Sequence, residues 1–151
     1  MVSLGRGLTL DAGDLVFDDV TGTLGEVEGR TALGQALELA IATQVGTDRL
    51  NSRFGFDRLA VGAFAYGLHT RKEYVKMQLV RCAGTDRRVT DVREVFFADD
   101  PRYFELQPGL ADETRDRIVA ATRASREYTV YVVVETVTGE SVTVEAEGTL
   151  G

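Results

Sequence analysis

The spacing of apolar residues from Thr31 to Thr43 predicts an amphipathic helix. Alanines and leucines recur there every three to four positions, the period of an α-helix, and so form one apolar stripe. Thr31 stands where an N-cap is expected, and Gly46 follows the last periodic residue as a helix stop. The next segment, Thr43 to Asp57, contains no histidine, no cysteine and no glycine-rich phosphate loop.

Two further helices are predicted downstream. Thr70-Arg71-Lys72-Glu73 has the composition of a capping box, in which the first and fourth side chains accept hydrogen bonds from each other's backbone amides. Val75 and Leu79 continue this helix as a buried stripe, and Gly84 ends it. The third helix, Asp112 to Arg126, has an acidic first turn, a basic last turn and a thin apolar face, so we expect it on the surface.

Three segments have the composition of β-strands. Val89 to Phe97 is the first, and Tyr128 to Val137 is apolar on both faces, which predicts a strand inside a sheet. From Ser141 to Glu147 apolar and polar residues alternate, and Thr138-Gly139-Glu140 joins this strand to the previous one as a hairpin turn. The last strand is expected to lie at a sheet edge, open to pairing with another chain.

The strand from Val89 to Phe97 and the segment after it carry two local expectations. Simple alternation puts Val95 and Phe97 on one face of the strand, and Val92 and Phe96 on the other. The segment from 99 to 109 contains both prolines, and we expect a loop with a short extended piece there.

The order of these elements predicts one α+β domain over residues 1–151. Residues 1–29, where short apolar runs alternate with frequent glycines, are expected to form an extended N-terminal arm. Two or three helices are expected to pack on a small mixed sheet that ends in a C-terminal β-hairpin, residues 127–148. Residues 99–126 have the character of an insertion before that hairpin.

Composition excludes several functional classes. Apolar residues make up 44% of the 151 residues and charged residues 27%, values typical of a soluble globular protein. The net charge of −7 argues against nucleic-acid binding, and no apolar stretch is long enough to insert into a membrane. Cys82 is the only cysteine, so an intrachain disulfide is impossible, and we expect it in the core of a protein made in the cytoplasm.

Residues able to carry chemistry are few. A Ser/His/Asp site would have to use the single histidine, His69, and no serine lies in a nucleophile-elbow context. Asp18-Asp19 and Asp99-Asp100 lie in predicted turns, where adjacent acids are usually solvated, although a glycosidase needs two such carboxylates. We therefore expect no catalytic residue, no cofactor and no metal ligand.

Arg87-Arg88 lies between a predicted helix end and a strand start. It admits two interpretations. The pair belongs either to a solvated surface turn, or to a corner at which a partly buried arginine binds neighbouring carbonyls or the carboxylate of a partner.

Several short motifs, in a fixed order from Asp14 to Val95, resemble the baseplate wedge and sheath-initiator family. This family occurs in contractile phage tails, contractile injection systems and type VI secretion, and some members carry the historical label "tail lysozyme". The motifs are D-L-x-F (Asp14 to Phe17), V-x-G (Val27 to Gly29), A-L-x-Q-A-L-x-L (Ala32 to Leu39), T-x-x-G (Thr43 to Gly46), N-x-x-F-G (Asn51 to Gly55) and V-x-D-V-x-x-V (Val89 to Val95). A tripeptide that is usually Glu-Pro-Arg in the family reads Asp86-Arg87-Arg88 here, so its corner role depends on Arg88.

The resemblance implies a non-enzymatic assembly protein located in the baseplate of a tail or injection particle. Its implied partners are the sheath subunit, other baseplate wedge proteins and the spike and hub proteins. The terminal β element of the family pairs with strands of the first sheath ring and so templates sheath assembly. A tail-associated peptidoglycan hydrolase and a generic protein-binding adaptor domain remain as alternatives.

Two groups of residues are therefore candidates for partner binding or for shaping the wedge. Phe54, Gly55, Phe56 and Arg88 belong to the first group. The second group lies on the two hairpin strands and comprises Tyr128, Val130, Val132, Val134, Val142 and Val144. We expect a chain cut after Thr138 to fold but to lose sheath assembly.

Overall fold

The computed structural model describes residues 2–63 and 66–150. Within these ranges there are five helices and nine strands. The helices are α1 (Gly29–Ala42), α2 (Arg58–Gly62), α3 (Leu68–Gly84), α4 (Pro101–Leu106) and α5 (Asp112–Ser125). The strands are β1 (Arg6–Leu8), β2 (Leu10–Asp11), β3 (Asp14–Leu15), β4 (Phe17–Asp18), β5 (Thr23–Leu24), β6 (Glu26–Glu28), β7 (Val89–Phe97), β8 (Glu127–Thr136) and β9 (Ser141–Thr149).

A three-stranded antiparallel sheet, in the order β7-β8-β9, supports the core. Helices α1 and α3 pack on one of its faces, and the apolar residues between sheet and helices form a single buried cluster. The α+β class, the C-terminal hairpin and the interior position of β8 are thereby confirmed. The sheet is antiparallel throughout, where a mixed sheet was expected.

Helix α1 contains the predicted apolar stripe but begins earlier than predicted. Its N-cap residue is Glu28, whose side chain makes no capping bond, so the assignment of Thr31 as the N-cap was wrong. The start is determined by the arm, because the amide of Gly29 donates to the carbonyl of Gly5 as the chain leaves β6. The stripe is buried at Ala32, Leu33, Leu37, Ala40 and Ile41.

Helix α3 also begins earlier than its predicted capping box. Gly67 is the N-cap residue in an extended conformation, and its carbonyl accepts a hydrogen bond from the amide of Arg71. Thr70 and Glu73 consequently lie inside the helix, and the predicted reciprocal cap is absent among the described contacts. The predicted stripe and the end at Gly84 are confirmed, with Val75, Leu79 and Cys82 buried.

Strand β7 contains two β-bulges that change which side chains reach the core. Val92 pairs with Val134, yet Glu94 already pairs with Val133, so Arg93 is an extra residue in the ladder. Val92 consequently joins Val95 and Phe97 in packing against the core, and its predicted place on the opposite face with Phe96 was wrong.

The proline-containing segment after β7 is helical rather than a loop with an extended piece. Pro101 occupies the first turn of α4, where a missing amide proton costs nothing because that amide would have no partner within the helix. Helix α5 follows at its predicted position and buries only Thr122. Together α4 and α5 lie beside the sheet face opposite to α1 and α3.

The N-terminal arm consists of three two-stranded ribbons, β1-β6, β2-β3 and β4-β5. They meet where the amide of Thr9 donates to the carbonyl of Gly25 (2.8 Å), that of Gly25 to Val16 (2.8 Å) and that of Val16 to Thr9 (3.2 Å). The arm attaches to α1 through Gln35, whose side chain donates to the carbonyl of Leu8 (2.7 Å) and accepts from the amide of Leu10 (2.8 Å).

Candidate functional site

The hairpin side chains that were candidates for partner binding or for shaping the wedge face the protein's own helices. Each of the six belongs to the buried cluster, and none is more than 8% exposed. These side chains therefore maintain the packing of sheet on helices, and a partner on this hairpin must contact other atoms. The six residues are Tyr128, Val130, Val132, Val134, Val142 and Val144.

The Phe54-Gly55-Phe56 segment packs against the end of α1. Phe56 is buried, and its amide donates to the carbonyl of Thr43 (2.9 Å). Gly55 has φ +112°, and a Cβ atom at this position would lie 2.5 Å from the carbonyl oxygen of Thr43. Only glycine fits there, because a side chain would meet both backbone strain and a backbone atom. The segment is an architectural corner of the fold.

Arg88 binds two groups of this chain at once. Its guanidinium forms a bidentate pair with Asp86 (Nε to Oδ1 2.9 Å, Nη2 to Oδ2 2.7 Å), and Nη1 donates to the carbonyl of Leu4 (3.0 Å). Hydrogen bonds from Arg88 hold the pKa of the Asp86 carboxyl below its usual value, against the opposing effect of burial. Of the two interpretations of this arginine, the structure shows the one in which it binds a neighbouring carbonyl, here that of the arm.

The acidic pair Asp99-Asp100 is structural, and the expectation that it is solvated was wrong. Lys72 contacts Asp99 (Nζ to Oδ1 2.7 Å), and the Asp99 side chain is only 9% exposed. Asp100 accepts from the amide of Phe97 (2.8 Å) and pairs with Lys76 (3.4 Å). Burial would raise the pKa of Asp100, but the Phe97 amide and the two lysines outweigh it and lower that pKa.

Every clearly shifted carboxyl pKa among the described residues moves in the same direction as that of Asp100. Four carboxyl groups among the described residues have a clearly shifted pKa, and in all four the pKa is lowered: Asp18, Asp86, Glu94 and Asp100. For Asp18 the main cause is a backbone hydrogen bond from Val20. A glycosidase acid requires the opposite, a raised pKa, so none of these four groups is suited to that role.

Strand β9 has one edge without a partner in the described part of the chain. At the two ends of its ladder with β8, the amide of Thr136 donates to Glu140 (2.9 Å) and that of Leu150 to Arg126 (2.8 Å). Because antiparallel pairing alternates, the even-numbered residues of β9 direct their backbone groups toward β8. The amides and carbonyls of Thr143, Glu145 and Glu147 therefore point away from the sheet.

A groove lies along this free edge of β9, with α1 as its opposite wall. Two adjoining hollows of about 530 and 440 Å³ make up the groove. Glu38 on α1 borders both hollows, and Thr143 and Glu145 border one each on the strand side. At Gly34 the helix approaches β9 closely, since a Cβ there would lie 3.8 Å from a methyl group of Val142. We call these two hollows, together with the strand edge beside them, the β9 edge groove.

The opposite face of the sheet carries an aromatic stack. The ring of Tyr131 lies 5.3 Å from that of Phe96 and 5.5 Å from that of Tyr103 of α4, both in stacked orientation. Glu145 is directly opposite Tyr131 across the β8-β9 ladder. Burial of the ring and the nearby Glu145 carboxylate raise the pKa of Tyr131 to about 12. A cavity of about 690 Å³ separates this stack from α5.

Metal-type clusters and membrane-spanning helices are absent from the described part of the chain. In residues 2–63 and 66–150 no three His, Cys, Asp or Glu side chains are grouped so that they could bind a metal ion. No helix in those ranges has the length and apolar character needed to cross a bilayer. No protein-family model matches the chain, and no curated protein is significantly similar to it in sequence.

Sequence reasoning missed two features of these surfaces. One is the attachment of the arm by Gln35, for which the only signal was an amide side chain in a largely apolar helical run. The other is which residues of β9 direct their backbone outward, and this depends on the phase of the hairpin ladder. The alternation of β9 carried that information, because its exposed side chains belong to the residues whose amides face the free edge.

Proposed function

We propose that the chain is a structural baseplate component of a contractile tail or injection particle. In this proposal it templates sheath assembly by strand pairing with the first sheath ring. The other wedge proteins and the spike and hub proteins are its neighbours in the baseplate. The observation that carries the proposal is the unpartnered edge of β9, and the motif order from Asp14 to Val95 supplies the family resemblance.

The free edge suits strand addition because its backbone groups are held in register by the core. Val142 and Val144 lie on β9, and their side chains are buried in the core that the sheet forms with α1. Strand β9 therefore cannot rotate about its axis. An added strand would hydrogen-bond to the main chain at Thr143, Glu145 and Glu147, and main-chain pairing tolerates side-chain variation in the partner. A template for a repeating assembly needs this kind of pre-ordered edge.

The corner residues support the same proposal in a different way. Arg88 and Gly55 attach the arm and the loop after α1 to the core, and so give the domain fixed outer surfaces. Fixed surfaces are what neighbouring wedge proteins would dock against. The alternative of a peptidoglycan hydrolase has weaker support, because the shifted carboxylates described above have lowered pKa values.

A truncation after Thr138 does not test this proposal, although the sequence suggested it. Val142, Val144 and Leu150 are buried in the core, and the Leu150 carbonyl accepts a hydrogen bond from Arg71. Removing β9 would therefore remove part of the core and unfold the domain. The test has to block the edge and keep the strand.

Thr143→Pro blocks the edge selectively. The amide of Thr143 faces away from β8, so proline removes a donor for an added strand without breaking a β8-β9 hydrogen bond. Thr143→Val keeps the amide and is the matched control. In the source organism, we expect electron micrographs to show loss of sheathed particles with Thr143→Pro and normal numbers with Thr143→Val.

Two results would overturn the proposal. One is normal sheathed particles from a Thr143→Pro protein whose circular dichroism and melting temperature match those of Thr143→Val. The other is a gene neighbourhood without sheath, tube or spike genes, which would favour the generic adaptor domain instead.

A further inference from the structure

We infer that the strand accepted by the β9 edge groove is basic, with arginine or lysine at the two positions beside Glu145 and Glu147. This inference rests on the strand pairing of the proposed function and adds the chemistry of the partner. It arises from the charges that line the free edge and from what those charges already contact.

Glu145 and Glu147 are two residues apart on β9, so their side chains lie on the same face of the strand. Both are exposed, and neither forms an ion pair with another described residue. Across the β8-β9 ladder they oppose Tyr131 and Thr129, which are uncharged. On the side away from β8, an added strand would place its side chains next to each carboxylate.

Cations near the groove are already engaged elsewhere. Arg30 at one end of the groove contacts Glu140 (3.6 Å), and Arg58 at the other end donates to the carbonyl of Ala42 (3.4 Å). Glu38 on the helix wall adds a third carboxylate. The edge therefore presents an excess of negative charge, and an acidic strand would be repelled from it.

The geometry of a carboxylate favours arginine over lysine at the position beside Glu145. Directly opposite positions on paired strands lie about 5 Å apart, so a long side chain there reaches the Glu145 carboxylate. A guanidinium can pair with a carboxylate in bidentate fashion, which an ammonium cannot do.

A set of three synthetic peptides tests the inference on the full chain. Each peptide is capped at both ends and reads Thr-Val-X-Val-X-Val-Thr, with X as arginine, glutamine or glutamate. Fluorescence anisotropy at low and at physiological salt measures affinity. We expect the arginine peptide to bind on the order of tenfold more tightly than the glutamine peptide, from two favourable cross-strand pairs. The glutamate peptide should bind most weakly, and added salt should reduce these differences.

Charge-reversed proteins provide the matched controls. Glu145→Lys with Glu147→Lys should reverse the order of the three peptides. Asp11→Lys with Asp14→Lys makes the same change in net charge on an opposed pair in the arm, and it should leave the order unchanged.

Hydrogen exchange separates failure of this inference from failure of the proposed function. Peptide binding should slow exchange of the amides of Thr143, Glu145 and Glu147. Protection of these amides without any dependence on peptide charge would overturn the basic partner and leave strand pairing intact. Absence of protection with every peptide would overturn strand pairing, and the basic partner with it.

Discussion

The C-terminal sheet and the N-terminal arm are both antiparallel β-structure, but different forces stabilise them. In the sheet, the side chains of Val130, Val132 and Val134 are at most 1% exposed. In the arm, Leu15 is 55% exposed and Phe17 is 59% exposed, although each belongs to a paired strand. Backbone pairing is therefore common to both regions. Among their strands, the burial of apolar side chains belongs almost wholly to the C-terminal sheet.

This difference in apolar burial indicates which interactions stabilise each region. Apolar burial contributes about 25 cal/mol per Å² and drives the packing of the sheet on α1 and α3. The arm depends on backbone hydrogen bonds, on the buried side chain of Leu4, and on two polar attachments, Gln35 on α1 and Arg88 before β7. We expect the arm to open locally while the sheet opens only with global unfolding.

The largest contrast should come from truncating one leucine that packs on the sheet and one leucine of the arm. Leu33 is fully buried beneath the sheet, so Leu33→Ala should lower the free energy of unfolding by about 2–5 kcal/mol. Leu15→Ala in the arm should change it by less than about 0.5 kcal/mol, because the side chain is mostly exposed. Chemical denaturation measures both values. Equal losses would show that the arm is part of the core.

Two glycines with positive φ allow the next comparison. Gly55→Ala should cost about 2–3 kcal/mol, because the methyl group would strain the backbone and also strike the Thr43 carbonyl. Gly13 in the arm has φ +90° and open space around it, so Gly13→Ala should cost only about 1 kcal/mol. Thermal melts of the two variants check this order, and a more damaging Gly13→Ala would contradict it.

Gln35→Ala tests the attachment of the arm directly. Loss of two hydrogen bonds should cost about 0.5–1.5 kcal/mol for each bond, and that cost should be confined to the arm. Amide exchange should accelerate in β1 and β2, and exchange in β8 should stay unchanged. Glu38→Ala, one turn further along α1, is the control. Faster exchange in β8 as well would show that the arm and the sheet open together.

The smallest effect concerns the Asp86–Arg88 pair. Because the pKa of Asp86 is lowered in the folded state, the pair contributes stability above the ordinary value near 3.8 and loses it as the pH falls further. Asp86→Asn should therefore destabilise the protein by about 1 kcal/mol or less at neutral pH. The difference from wild type should shrink below pH 4 in denaturation series. A difference that does not depend on pH would exclude the ion pair as its cause.

The main elements could be predicted from sequence because they follow strong local periods. Helix α1 and strand β8 are long and regular, and β7 was predicted with the bounds it has. The starts of α1 and α3 could not be predicted, because Gly29 pairs with distant Gly5 and because Gly67 takes an extended conformation. Such starts depend on tertiary pairing and on backbone angles that local composition does not reveal.

The candidate site could be predicted only in part. The edge position of the last strand was expected, and Val142 and Val144, which were candidates for partner binding or for shaping the wedge, face α1. Composition identifies a strand with one buried face, but it does not indicate whether a helix of the same chain or a partner will cover that face. Helix α4 was missed for a related reason, since Pro101 ends a helix at most positions and begins one here.

The bulge at Arg93 has a consequence for insertions and deletions. Val92 and Glu94 pair with consecutive residues of β8, so the chain without Arg93 would keep both pairs and regain simple alternation. Val95 and Phe97 would still face the core. A one-residue deletion normally turns every following side chain of a strand to the opposite face. At this position it would remove an exposed arginine and leave the packed residues in place, so a chain one residue shorter there would keep the same core.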